Sequence, residues 1–428
     1  MKKFYNSGHG FYLPSFFFLK INTSEGLMNL DDLSERSKST LFHEYIHYIQ
    51  DITTLYGLGM ISQVVDTQKL VNNDILNRAD KNIVVPVPID ADSPSGFNME
   101  LFNWYEGDAE HDMMGILSID KIHQISEEVG PEKMKVTSVV VSFTGILGNK
   151  DHFNFGAVCI SEGMANLIEE SLFDDVEGPY FPYQIAKKVC DFIYPELAVD
   201  PIHVALICDI SLNSSHPGKF FVDFISEMHK KQYMPEKYLD LYDRFESYKF
   251  TDINGQSGSI YDHYPQLAEL AKSQLKDYFT VSGLDDIRNW FDHIIDMGIK
   301  FRVRNISFWV DILNAPSKLI RRDNFVLLTK QFGFPLMSNS KDAFYFSHPK
   351  IATDQIVLLR AIQEVNKLLL NGQKGCQMKK FCSYPKSKDI TSELCDEPWK
   401  RTVLENPCPF SVIWHMWGLA GISPIFND

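Results

Sequence analysis

Apolar residues recur at helical spacing over residues 37–73, where Leu41, Phe42, Tyr45, Ile46, Ile49, Ile52 and Leu55 fall on one stripe. A stripe of that period buries one face of a helix, so one long helix is expected there. The residues before it read as strand and turn. The run FYLPSFFFLKIN is rich in aromatics, and Pro14 inside it marks an edge strand or a bulge. Pro86, Pro88 and Pro94 make residues 80–96 a loop. The run KVTSVVVSFTGIL at 135–147 is dense in β-branched residues and predicts a strand. It leads through GNKDHFN into a second helical pattern over about 156–172. Amphipathic helical patterns fill most of 184–371, and the last, over 353–370, is closed by Asn371-Gly372, a helix stop. The chain carries neither an internal repeat nor a low-complexity tract. Together these elements predict an α+β fold, mostly helical, with a small sheet in the N-terminal third.

The 428 residues are enough for two or three domains of ~150 residues. An apolar fraction of 44% with 23% charged residues belongs to a folded chain, not a disordered one. A formal charge of −15 does not supply the basic face that a phosphate backbone requires, so nucleic acid is not the expected partner. No run approaches the ~18 apolar residues of a membrane span, and no membrane partner is expected. The start imitates a signal peptide, but Asn6, Gly8, His9, Gly10, Pro14 and Ser15 interrupt its apolar run and no small-residue cleavage site follows. A cytoplasmic setting is the expectation. Seven cysteines, an odd number in a long chain, argue against a disulfide framework. Cys159, Cys190 and Cys208 lie among apolar neighbours and are expected in the core.

Residues 43–47 read His-Glu-Tyr-Ile-His. On a helix, positions i and i+4 share a face, so His43 and His47 can offer two imidazoles to one metal ion with Glu44 beside them. This is the HExxH arrangement of zinc hydrolases, two ligands and a general base within about one turn. The chemistry uses all three: the metal polarises water, the carboxylate removes its proton, and the hydroxide attacks a carbonyl carbon. Leu41, Phe42, Tyr45 and Ile46 set the motif against a core-facing wall, where imidazoles and a carboxylate without partners are costly.

A zinc site of this kind needs a third protein ligand. The residues after His47, YIQDITTLYGL, lack the Gly and His of the metzincin extension. In FGAVCISEGMANLIEE, residues 155–170, Glu162 is the one charged residue among Ala157, Val158, Ile160, Met164, Ala165 and Leu167. A lone carboxylate on an apolar face needs a partner, which makes Glu162 the leading third ligand. Gly163 and Ala165 beside it permit close helix packing. Glu169 and Asp51 come next, though the doublet Glu169-Glu170 reads more simply as a solvated face. An oxyanion also needs a hydrogen-bond donor. His216 in SLNSSHPGKF is the candidate for that catalytic role, with Tyr180 and Tyr183 in GPYFPYQ as rivals. His111 and His152, in polar loops, and His203, in a helical run, carry no comparable signal.

On these residues the chain resembles the gluzincin group of zinc metallopeptidases, over residues 37–55 and 155–172. The resemblance implies a thermolysin-like, zincin-type catalytic core with zinc held by His43, His47 and Glu162 and Glu44 as base. It also implies a role for Asn166, one turn after Glu162, where thermolysin-like enzymes place an Asp that orients a ligand histidine. An amide oxygen can accept the same ring N–H. The 115-residue separation of His47 and Glu162 exceeds that of the compact members, so an insertion over about 74–134 is expected. The expected organisation is a metallopeptidase core at 1–220, a helical region at 221–371 and a cysteine-bearing segment at 372–428. The expected activity is peptide-bond hydrolysis on a limited set of intracellular proteins, with a regulatory protein partner for the helical half. Two other readings stay open: a sensor or binding protein that keeps the metal without turnover, and an amidase acting on a small molecule.

Cys376, Cys382, Cys395 and Cys408 have the spacing C-x5-C-x12-C-x12-C. Four thiolates can close a structural zinc site, and a segment with Pro385, Pro398 and Pro407 and little core of its own would gain from one. The spacing lacks a tight C-x2-C knuckle, and four separately packed cysteines or a disulfide pair are the alternatives. The run PFSVIWHMWGLAGI that follows is expected to pack back onto the body.

Overall fold

Where the apolar stripe predicts one helix over 37–73, the chain builds two. α1 (Glu35–Thr53) starts at Ser34, whose side chain accepts from the Ser37 amide, and α2 (Leu55–Asn77) follows a single extended residue, Thr54. The Thr54 hydroxyl donates to the Gln50 carbonyl and accepts from the Gly57 amide, so it serves both helix ends. A Cβ on Gly57 would stand 2.4 Å from Asp51 Cα, and only glycine lets α2 fold back that closely on α1. Between Leu41 and Ile52, α1 is buried on nearly every side, as a helix through the middle of a core must be.

The computed structural model describes residues 10–426 except 28, 78–81, 91, 131–132, 177, 252–256, 282, 342–343, 347–350, 383–392 and 405–406. Pro385 and the first nine residues of the signal-like start lie outside the described residues. Ahead of α1, β1 (Gly10–Leu13) and β2 (Phe18–Ile21) form an antiparallel hairpin with Pro14 in its turn. After α2 come β3 (Asn82–Val85) and α3 (Pro94–Glu106), so the loop expected over 80–96 holds a short strand and a helix start. β4 (Ile116–Val129), β5 (Met134–Gly145) and β6 (Lys150–Asn154) make an antiparallel sheet that leads into α4 (Ala157–Leu172). The helical bulk follows as α5 (Ile185–Ile193), α6 (Pro195–Ala198), α7 (Pro201–Ser211), α8 (Pro217–Lys230), α9 (Leu239–Glu246), α10 (Ile260–Tyr278), α11 (Asp285–Arg304), α12 (Phe308–Leu313) and α13 (Lys318–Phe332). α14 (Thr353–Asn371) ends on Gly372 at φ 65°, the stop its Asn-Gly pair predicts. α15 (Lys379–Cys382) and α16 (Pro409–Met416) complete the helices. The fold is α+β and mostly helical.

The strands join distant parts of the chain. β7 (Phe250–Thr251) and β8 (Ser257–Gly258) pair locally, but β9 (Leu336–Ser338) pairs in parallel with β2 and carries β10 (Phe344–Tyr345). β11 (Ser423–Phe426) pairs in parallel with β3. Most buried apolar side chains from Tyr12 to Leu419 form one large cluster, and Met60, Val64 and Phe102 form a small second one. Within the large cluster Arg302 of α11 grips Asp209 of α7 through two hydrogen bonds, 2.7 and 2.8 Å, and donates at 2.9 Å to the Thr53 carbonyl at the end of α1. Removing one partner from a buried pair of this kind costs about 3–5 kcal/mol, so the helical region is anchored to α1. The boundaries expected near 220 and 371 therefore fall inside a shared core. Cys159, Cys190 and Cys208 are fully buried. α16 packs on α14 and buries Phe410, Ile413 and Trp414, so the tail does return to the body. No described helix is long and apolar enough to cross a membrane.

Candidate metal centre

α1 and α4 pack together, and three side chains meet between them. His43 and His47 lie one turn apart on α1, and Glu162 comes from the second turn of α4. His43 Nε2 and His47 Nε2 each lie 3.1 Å from Glu162 Oε2. Among the described residues, this is the group of metal-ligating side chains whose donor atoms all lie within 4.8 Å of one another.

The far side of each ring is fixed as well. His43 Nδ1 is 2.9 Å from Glu169 Oε2, and the other oxygen of Glu169 accepts from the Ser39 hydroxyl. His47 Nδ1 is 2.8 Å from Gln50 Oε1, while Gln50 Nε2 donates to the Ser161 carbonyl at 3.0 Å. A ring whose Nδ1–H goes to an acceptor turns Nε2 towards the cleft, as a metal ligand requires. Burial opposes charge on His43, yet hydrogen bonds to Glu162 and Glu169 outweigh it and hold the ring well above its usual range. Burial likewise opposes charge on Glu162, and His47 and His43 overcome it and hold the carboxyl below the usual carboxylate range. Protons thus bind the three groups together, and a cation would take their place.

Glu44 lies beside the triad in a cavity of about 870 Å³. Burial lifts its carboxyl to about 7, against the pull of His43 and His47, a value suited to accepting a proton near neutrality. β1 closes over it: a Cβ on Gly10 would stand 2.9 Å from the Lys20 carbonyl oxygen and 3.2 Å from Glu44 Cγ. The strand can run this close to α1 because residue 10 has no side chain.

Not every expected residue arrives. Asn166 lines the cavity, but its amide donates to Glu170 at 2.9 Å, and Glu169 holds the ligand ring instead. Glu162 and Glu169 are seven residues apart, two turns, and so share a face. Glu169 is therefore buried while Glu170 is exposed, which corrects the solvated-doublet reading. Gly163 and Ala165 were expected to ease packing, and Gly163 does so against Ala186 of α5, where a Cβ would meet the alanine at 2.9 Å. His216 does not reach the cavity. It is the N-cap of α8: Nδ1 accepts from the Lys219 amide and Nε2–H donates to the Thr137 carbonyl. The small polar residues before His216-Pro217 announce a helix start, and burial holds the ring below its usual range. The rival Tyr183 does line the cavity, its ring 5.2 Å from that of His43, and the charge of Glu162, then burial, keep its hydroxyl protonated. His111, without a signal in sequence, also lines it, packed among Phe143, Phe153 and Phe181.

Cys376, Cys382, Cys395 and Cys408 surround a separate cavity of about 20 Å³. They are thiols, with no disulfide between them. They share this space without the mutual approach of the triad. No family model, curated protein or solved structure matches the chain.

Proposed function

We propose that the protein is a zinc-dependent peptidase with a zincin-like core, in which His43, His47 and Glu162 hold the metal. The observation that carries this is the convergence of two oriented imidazole nitrogens on one carboxylate oxygen, at 3.1 Å each. Two imidazoles and a carboxylate beside an accessible cavity are a donor set suited to catalytic zinc. A zinc ion there supplies Lewis acidity towards water and towards a carbonyl oxygen. Glu44 takes the proton from the attacking water and returns it to the leaving amine. The Tyr183 hydroxyl donates to the oxyanion, the role first expected of His216. Glu169 and Gln50 keep the two rings in register throughout.

A peptide is favoured over a small amide by the strand beside the base. In the described sheet β1 is an edge, and Gly10, Phe11 and Tyr12 line the cavity. An extended substrate can add to such an edge as a further strand. A sensor without turnover would leave Glu44, buried beside the ligands, with no use. Substrates restricted to a few intracellular proteins fit the large helical half, which offers surface for selection or for a regulatory partner.

The test is digestion of a peptide library by chelated and zinc-reloaded protein, read by mass spectrometry. New termini from the wild type and none from a zinc-retaining Glu44→Gln variant are expected. No cleavage by the zinc-loaded wild type, or equal cleavage by the variant, would contradict the proposal.

A further inference from the structure

The cavity beside the triad has a one-sided charge. Besides Glu44, Glu162 and Glu169 it is lined by Asp51, Glu106, Glu110 and Asp112, and no lysine or arginine lines it among the described residues. A cavity of one sign focuses its field on ligands of the other. At one end lie buried oxygens that the protein leaves without a full set of hydrogen bonds. Asp51, Tyr12 and Tyr56 line this cavity, and Asp51 Oδ2, Tyr12 Oη and Tyr56 Oη make no hydrogen bond of normal length, though the Tyr12 hydroxyl lies close enough to Asp51 to favour its ionised form. Asp51 is 9% exposed and Tyr12 8%. Buried polar atoms of this kind are expensive unless a ligand completes them.

Their position relates to the reaction centre. Asp51 is one turn beyond His47 on the same face of α1, about 6 Å along the helix. A peptide whose scissile carbonyl lies at the triad would bring the end of a neighbouring long side chain to that depth. Met60 and Leu212 line the same cavity and offer apolar contact to a methylene stem. We infer that this end of the cavity is a specificity subsite for a cationic side chain, lysine or arginine, next to the scissile bond. The inference rests on the peptidase reading and names its substrate class.

The ammonium or guanidinium sits on the Asp51 carboxylate and donates its remaining hydrogen bonds to the two tyrosine oxygens. Burial lifts Asp51 to about 7, with Tyr12 and His47 opposing, and an arriving cation stabilises its ionised form. An acidic side chain meets like charge here, and a neutral one leaves the carboxylate incomplete.

Binding separates this inference from hydrolysis. Three dye-labelled hexapeptides, identical except for a central lysine, glutamine or glutamate, are titrated against zinc-loaded Glu44→Gln protein by fluorescence anisotropy. The lysine peptide is expected to bind at least about tenfold more tightly than the glutamine peptide. Asp51→Asn should cut that preference to about threefold or less, with the fold checked by circular dichroism. Tyr56→Phe, a milder change, should lower lysine-peptide affinity while leaving the glutamine peptide unchanged, and it carries the test if Asp51→Asn does not fold. Equal binding of the lysine and glutamine peptides, or no binding of any, would overturn the subsite. Asp51-dependent binding with no cleavage by the zinc-loaded wild type would sink the peptidase reading alone. Cleavage without a basic preference would sink the subsite alone.

Discussion

The triad between α1 and α4 and the four C-terminal cysteines both have the composition of metal ligands, and they differ in what holds them. The triad sits on two long helices. Its i, i+4 spacing is set by the helix itself, and Glu169 and Gln50 lock the rings from behind. The cysteines come from the loop after α14, the end of the four-residue α15, a 3-10 turn at Glu393–Asp396 and the N-cap of α16. One backbone bond, Cys376 N–H to the Cys395 carbonyl at 3.0 Å, ties two of them. Burial pushes the Cys376 thiol well up. The lesson is that residue types announce an affinity, whereas geometry comes from regular backbone and from a second layer of hydrogen bonds.

The comparison can be broken at several points. The largest effect is expected at the base: Glu44→Gln should retain zinc and lose about 10²-fold or more in turnover, measured as product formed per metal-loaded chain. The second layer is next. Glu169→Gln should weaken zinc about 10–100-fold, while Asn166→Ala should change it by no more than about twofold, both read by competition with a chromogenic chelator. Equal effects of the two would return the orienting role to Asn166. At His216 the expected loss is of stability only, about 1–2 kcal/mol from a removed N-cap, with kcat unchanged. A large fall in kcat for folded His216→Ala would reinstate it in the site. The smallest effect is expected at the tail: Cys376→Ser should leave metal content unaltered, and a lost metal equivalent would show that the cysteines close on zinc after all.

Helical periodicity made the central site legible. His43, Glu44 and His47 fall on one turn, and Glu162 is the lone charge on an apolar face. The same periodicity, carried two turns on, reaches Glu169, but a Glu-Glu doublet in sequence conceals that one member faces the core. The break at Thr54 was invisible because apolar residues continue in register across it, and the bend depends on a hydroxyl and on Gly57. The β2–β9 and β3–β11 pairings join segments more than three hundred residues apart, and nothing local in strands of three or four residues specifies such partners. The acidic wall at Glu106, Glu110 and Asp112 comes from residues around the end of α3, where no period marks a common face. Arg302 and Asp209 read singly as ordinary charges on helices, and their union depends on how α7 and α11 pack.

The central claim is that the triad, and not the cysteine cavity, holds the metal. Zinc per chain, measured by elemental analysis after chelation, reloading and gel filtration, tests it directly in three proteins run side by side. One equivalent is expected in the wild type, one in Cys376→Ser and close to none in Glu162→Ala. A Glu162→Ala protein that keeps its zinc, or a Cys376→Ser protein that loses it, would contradict the account.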